Sequence, residues 1–236
     1  MIPKIIHYCW FGGKELPKDV KKCIKSWKKK CPDYEIKRWD ESNFDINSNC
    51  FIKDAYMRKA WAFVSDYARL KIIYDYGGIY LDTDVELIRN LDEVLKYKAF
   101  FAQQQSGEIN TGLGFGAEKK SSIINKMLVD YETMKFDYEN KECIACPILN
   151  TKAIKQEGFF VSDELEIRND IIILPAKYMD PYSSGEKVEN LLCQETLSIH
   201  HYSATWTSGN QRLKRKIARM LGEDKILAIK KIIRKV

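Results

Sequence analysis

Apolar positions along the chain keep two rhythms that replace one another. Residues 2–10 form a short apolar run that stops at Gly12-Gly13, the pattern of a buried strand and its loop. Residues 17–30 change to a helical period, with Val20, Ile24 and Trp27 on one face and lysines on the other. Residues 34–39 alternate as a second strand. A strand–helix–strand opening argues for a parallel sheet of the nucleotide-binding type. Residues 53–76, rich in Ala, Leu, Ile and aromatics, read as one long helix closed by Gly77-Gly78. Ile79-Tyr80-Leu81 then enters as a strand and runs into Asp82-Thr83-Asp84. Further on, residues 99–103 and 111–117 read as strands, 121–134 as a helix, and 171–175 and 197–202 as short strands. The expected organisation is one α/β domain over residues 1–210 and a tail over 211–236. The tail reads as two basic amphipathic helices, with Leu213, Ile217 and Met220, then Ile226, Ile229 and Ile233, at helical spacing.

Composition narrows the class. Of 236 residues, 45% are apolar and 31% charged, which fits a globular chain and excludes a disordered or fibrous one. No apolar run approaches the roughly 18–20 residues of a membrane-spanning helix. Residues 1–7 show no basic leader followed by an apolar stretch, so a cytoplasmic protein is expected. The net charge of +6 raises the question of nucleic acid, and its placement argues against it. Residues 211–236 carry ten Lys or Arg against two acids, and residues 14–30 carry eight lysines against two acids. The middle of the chain is acidic. The tail instead suits either of two tasks: peripheral contact with an anionic membrane on the inner face of the cell, or packing its apolar stripe on the core with its lysines in solvent. The seven cysteines are irregularly spaced, and Cys143-Ile-Ala-Cys146 is a lone CxxC pair, read as free thiols.

Chemistry concentrates in three places. Asp82 and Asp84 lie two apart at the end of a buried strand, and an extended backbone would project both to one side. At ~6–7 Å, with an effective dielectric near 20, they repel by roughly 2–3 kcal/mol. No Lys or Arg is adjacent in sequence, so a divalent cation with oxygen ligands is the expected partner. Asp66 and Arg69 share a face of an otherwise apolar helix. An exposed pair of that kind contributes only a few tenths of a kcal/mol. Burying both makes sense as the polar wall of a ligand pocket. Trp10, after the first strand, and Trp206, in His200-His201-Tyr202-Ser203-Ala204-Thr205-Trp206, can stack on a base or sugar. His200 and His201, as neighbours on an extended segment, face opposite ways, so at most one joins the acids at a metal.

Ser65-Asp66-x-x-Arg69 followed by Tyr74-x-x-Gly77-Gly78-Ile79-Tyr80-Leu81-Asp82-x-Asp84 resembles the sugar-binding region of DXD-type glycosyltransferases, in particular glycosyltransferase family 32. The opening Ile2-Pro-Lys-Ile-Ile-His7-x-x-Trp10 and the late His200-His201-x-x-x-Thr205-Trp206 are similar to that family's two ends. The resemblance implies a GT-A fold, a Rossmann-like mixed sheet flanked by helices. It further implies a nucleotide-sugar donor, a UDP-sugar first and a GDP-sugar second, with Mn²⁺ or Mg²⁺ and retention of anomeric configuration. On it, Trp10 stacks on the donor base, Asp66 and Arg69 hold sugar and diphosphate with Tyr80 nearby, and Asn110 lines the sugar site. Asp82 contacts ribose and metal, Asp84 ligates the metal, His200 joins them, and Trp206 closes over the diphosphate. A glycan or lipid-linked saccharide is the expected acceptor, in bacterial capsule or surface-polysaccharide synthesis. Two departures stand out: Thr205 where the family has Ser, and Cys146 before Pro147 where it has Gly. Two rivals remain: a non-catalytic binding protein on the same fold, and a haloacid-dehalogenase-type phosphotransferase, which also carries Asp-x-Asp after a strand.

Overall fold

The strand–helix–strand opening is realised as β1 (Ile5–Cys9), α1 (Lys18–Lys30) and β2 (Glu35–Trp39), with β1 and β2 paired in parallel. The structure, a computed structural model, describes residues 1–160, 162–182 and 189–203. The predicted tail helices, Thr205 and Trp206 lie outside the described residues. The chain continues through α2 (Cys50–Met57), α3 (Trp61–Tyr76), β3 (Gly78–Tyr80), β4 (Val85–Leu87), β5 (Ala99–Ala102) and β6 (Phe115–Ala117). Then come α4 (Ser122–Thr133), α5 (Cys146–Gln156), β7 (Glu166–Arg168), β8 (Ile171–Leu174), α6 (Ala176–Met179) and β9 (Ser198–His200). One sheet of seven strands has the order β2-β1-β3-β6-β5-β8-β7, and β4 pairs with β9 apart from it. Strands β1, β2, β3, β5 and β8 run one way, and β6 and β7 run against them. The fold class is therefore α/β with a mixed sheet flanked by helices, as the resemblance implies; the pattern predicts the parallel opening, and β6 and β7 depart from it.

Alternation along the strands sorts side chains into two cores. Ile79, Leu81, Phe100 and Ala102 pack toward α1 with Ile6, Tyr8 and Trp27. Tyr80, Phe101 and Phe115 pack toward α3 with Val64, Leu70 and Ile73. Helix α3 touches the sheet on one side and α2 and α4 on the other. That is why its sequence is apolar almost all round.

Two predicted boundaries move. The helix expected over 53–76 is two helices, separated at Lys59. Lys59 sits at φ 56°, its N–H bonds the Tyr56 carbonyl at 2.9 Å, and the Ala60 N–H bonds the Ala55 carbonyl at 2.9 Å. This is a helix stop of the Schellman type, built on lysine where glycine is usual, so no composition signal marks it. The strand expected over 111–117 begins only at Phe115, because Asn110 folds the preceding residues into a turn. Its Oδ1 accepts the Gly112 N–H at 2.8 Å, and its carbonyl accepts the Leu113 N–H at 3.2 Å.

His7 fastens β1 to the α3–β3 corner. Nε2–H donates to the Gly77 carbonyl at 2.9 Å, while Nδ1 accepts the Trp39 indole N–H at 3.0 Å. Gly77 and Gly78 take φ 69° and 102°, and a Cβ on Gly78 would stand 2.8 Å from the Ile5 carbonyl oxygen and 2.9 Å from His7 Nε2. Both ring nitrogens being used this way, an added proton would face the Trp39 donor. Burial, partly offset by the Gly77 carbonyl, lowers the His7 pKa from 6.5 to about 4. Between those values the unfolded chain binds the extra proton, so stability is full above pH 6.5 and declines as the pH falls toward 4. His7→Gln keeps one donor and one acceptor without the titration. In urea denaturation across that window the variant is expected to lose up to about 3 kcal/mol of the wild-type pH dependence. An unchanged slope would remove His7 from the account.

Candidate active site

Parallel β1, β3 and β5 end on one edge of the sheet, where ligands bind in open α/β folds. β3 stops at Tyr80, and the Leu81 N–H still bonds the His7 carbonyl at 3.1 Å. The chain then turns: the Asp82 N–H bonds the Gly112 carbonyl at 3.2 Å, and the Val85 N–H closes on the Asp82 carbonyl at 3.0 Å. The extension expected through Asp82-Thr83-Asp84 is thus absent, and a turn brings the two acids together instead. β9 pairs antiparallel with β4 in a register that sets His200 opposite Val85, beside Asp84. One ligand atom from each of Asp82, Asp84 and His200 lies within 4.8 Å of the others.

Asp84 is gripped at both oxygens. His200 Nε2 lies 3.0 Å from Oδ1, and Oδ2 accepts the Ser203 N–H at 2.8 Å and the Ser203 hydroxyl at 2.9 Å. Burial works to raise its pKa, but His200 and the two Ser203 donors prevail and hold the carboxyl well below the ordinary range. Burial likewise works against the His200 cation, and Asp84 beside it raises its pKa nonetheless. His201 turns away, its Nε2 2.9 Å from Glu86 Oε2.

Asp66 and Arg69 form the inner wall. Both side chains are buried on α3, with Arg69 Nη2 2.8 Å from Asp66 Oδ1 and 3.5 Å from Asp82 Oδ1. Arg69 also donates Nε–H to the Ser65 carbonyl at 3.0 Å and Nη1–H to Thr111 Oγ1 at 3.4 Å, and it lies over the Tyr80 ring. The counter-charge missing next to Asp82 in sequence is therefore supplied across space. Burial, opposed by Arg69, lifts the Asp66 pKa to about 6. Burial raises that of Asp82 as well, again against Arg69. The Cys146 thiol and backbone N–H, at the start of α5, also reach Asp66.

The other predicted residues take supporting or outlying positions. Tyr80 is buried beneath Asp82 and donates its hydroxyl to Asp82 Oδ1 at 3.0 Å. Asn110 holds the turn that supports the site and donates Nδ2–H to Gln104 Oε1 at 2.9 Å. Trp10 stands just beyond the end of β1, half-buried, with its indole N–H on the Lys14 carbonyl at 2.6 Å. Cys143 is exposed while Cys146 is buried, and both are free thiols. Ser203, Thr111 and Gly112 were not singled out for these roles from the sequence. Only Gly112 carried a signal, through the Asn-Thr-Gly segment. A Cβ there would stand 2.4 Å from Asp82 Oδ2 and 3.2 Å from Arg69 Nη1.

This donor set fits a hard divalent cation. Two carboxylates and one imidazole suit Mn²⁺ or Mg²⁺. Asp84 Oδ1 and His200 Nε2 lie 3.0 Å apart, so one cation could take both once the proton they share has left. The bare Gly112 keeps the approach to Asp82 Oδ2 open.

Parts of this chain are similar to known proteins. Residues 17–101 match the family described as glycosyltransferase sugar-binding region containing DXD motif. That match takes in Asp66, Arg69, Asp82 and Asp84 and spans about a third of the chain. Inositol phosphoceramide mannosyltransferase 3 of Schizosaccharomyces pombe is 36% identical over 119 residues, which are 48% of this chain and 33% of that protein. This chain thus spans about a third of the yeast relative. An uncharacterized glycosyltransferase of Acanthamoeba polyphaga mimivirus is 25% identical over 217 residues, 87% of this chain and 84% of its own. Among solved structures the PaToxG glycosyltransferase superposes with a TM-score of 0.53 at 21% identity, covering 66% of this chain and 69% of its own. The fold is GT-A. It leaves the haloacid-dehalogenase alternative without support, and among the described residues no lysine pairs with Asp82 or Asp84.

Gly112→Ala tests the open approach to Asp82. The variant is expected to fold and to bind Mn²⁺ roughly tenfold or more weakly by calorimetric titration. Unchanged affinity would show that Asp82 Oδ2 needs no such room.

Proposed function

We propose that this chain is a metal-dependent glycosyltransferase that moves a sugar from a nucleotide-sugar donor to a glycan or lipid-linked saccharide. The observation that carries the reading is the convergence of Asp82, Asp84 and His200 at the strand ends, walled by Arg69 and Asp66. Asp84 and His200 would hold the cation, with Asp82 as its third protein ligand. Bound there, a divalent cation would supply positive charge against a donor diphosphate as it leaves. Ser203 fixes the Asp84 carboxylate in one orientation, so little reorganisation is left for binding. Tyr80 and Arg69 fix Asp82 from beneath. Arg69, pre-set by Asp66, Asp82, Ser65, Thr111 and the Tyr80 ring, offers its guanidinium edge to phosphate or sugar oxygens, and Asp66 offers a carboxylate to sugar hydroxyls. Trp10 is assigned to the donor base and Asn110 to the sugar side. Trp206, outside the described residues, is assigned to the diphosphate.

The finer parts of the reading rest on resemblance to family 32. They are a UDP-sugar before a GDP-sugar, Mn²⁺ before Mg²⁺, retention of configuration, and a role in bacterial capsule or surface polysaccharide made on the cytoplasmic side. Membrane contact through residues 211–236 belongs with them. No carboxylate is named as a nucleophile.

The test is release of nucleotide from UDP- and GDP-sugars, with and without Mn²⁺. Metal-dependent turnover is expected, and Asp84→Ala is expected to reduce it on the order of a hundredfold or more. Turnover by Asp84→Ala equal to wild type would overturn the metal assignment. Donor binding without turnover in any condition would favour the non-catalytic alternative.

A further inference from the structure

Helix α1 carries seven lysines and one acid in thirteen residues. Its apolar side is occupied: Val20, Cys23 and Trp27 are buried, the Trp27 indole N–H donates to the Val85 carbonyl at 2.7 Å, and Ser26 Oγ accepts the Leu87 N–H at 2.9 Å. The helix is thereby bolted to β4, the strand that follows Asp84 directly. Its outward side holds Lys18, Lys22, Lys25 and Lys29 in one row and Lys21, Lys25 and Lys28 in the next, at the three- and four-residue spacing that aligns side chains on one face.

Elsewhere in the fold several lysines are matched by acids, Lys4 with Asp33, Lys71 and Lys120 with Asp75, Lys126 with Glu157 and Lys152 with Asp130, and no other helix sets so many unmatched lysines on one face among the described residues. On α1 only Lys22 has a carboxylate in range, Glu86 at 3.9 Å, among the described residues. A face kept merely for solubility would mix signs, as the rest of this surface does. A row of like charges held on a rigid helix is instead complementary to an anionic partner.

We infer that the lysine face of α1 docks on an anionic lipid bilayer. The charges are all lysine, without the planar fork of arginine that reads phosphates in pairs, and Trp27, the one aromatic of the helix, faces inward. The face therefore offers nothing for a nucleic-acid base to stack on. A straight row of ammonium groups suits a plane of lipid headgroups. Because α1 backs onto β4, docking places the bilayer on the flank of the Asp82–Asp84–His200 site. The lysines of α1 belong to a different stretch of sequence from the basic tail, and the inference does not rest on the transfer reaction.

The test is sedimentation of the full chain with phosphatidylcholine vesicles, with or without about a third phosphatidylserine. Binding is expected only to the anionic vesicles, and it should weaken from about 0.1 M to about 0.5 M salt. At about fivefold per lysine, the triple variant Lys21→Gln, Lys25→Gln, Lys28→Gln should partition on the order of a hundredfold less. Its melting temperature and nucleotide release should match wild type, since glutamine keeps the helix propensity of lysine. A full chain with Lys214, Lys216, Lys230 and Lys231 changed to glutamine should retain the α1-dependent part. The inference is overturned if the α1 variant partitions like wild type, if wild type does not bind the anionic vesicles, or if binding is lost only in the tail variant.

Discussion

Buried negative charge is the constraint around which this site is built. Asp66, Asp82 and Asp84 are gathered at one edge of the sheet, with Arg69 between the first two and His200 against the third. Burial penalises each carboxylate, and the protein answers unevenly. Asp66 and Asp82 keep raised pKa values in spite of Arg69, whereas Asp84 is driven low by His200 and Ser203. The most firmly ionised carboxylate is thus the one with the most fixed orientation. A pocket that concentrates acids in this way favours a cation, and a cation bound there would in turn attract a diphosphate.

The fold delivers these groups from four separate stretches of chain. The turn after β3 supplies Asp82 and Asp84, α3 supplies Asp66 and Arg69, β9 supplies His200, and the Asn110 turn supplies the space at Gly112. His7 and the Gly77-Gly78 corner hold β1, α3 and β3 in the relation that lets the first two stretches meet. His7 thus gives the chain's opening residues a structural task, apart from any contact with ligand.

Much of this was legible in the sequence, because strong local rules governed it. The β1–α1–β2 opening followed from a change of period, and the Asp82–Asp84 and Asp66–Arg69 pairs stood out as charge inside apolar runs. Other features depended on contacts between distant residues and left no local mark. The stop at Lys59 uses a residue that usually continues a helix. The clasp of Ser203 on Asp84 joins positions 119 residues apart. The counter-charge for Asp82 arrives from α3 and not from its own strand. Charge was legible in amount and in face, since the period over 17–30 sets its lysines opposite Val20, Ile24 and Trp27; packing adds that, among the described residues, only Lys22 of α1 has a carboxylate in range.

The account stands or falls on where a divalent cation sits. The direct measurement is anomalous scattering from a crystal of the protein soaked in Mn²⁺ with a nucleoside diphosphate. The account predicts one strong peak in coordinating range of Asp84 Oδ1, His200 Nε2 and an Asp82 oxygen. A fully soaked crystal with no peak there, or with its peak away from these three residues, would contradict it.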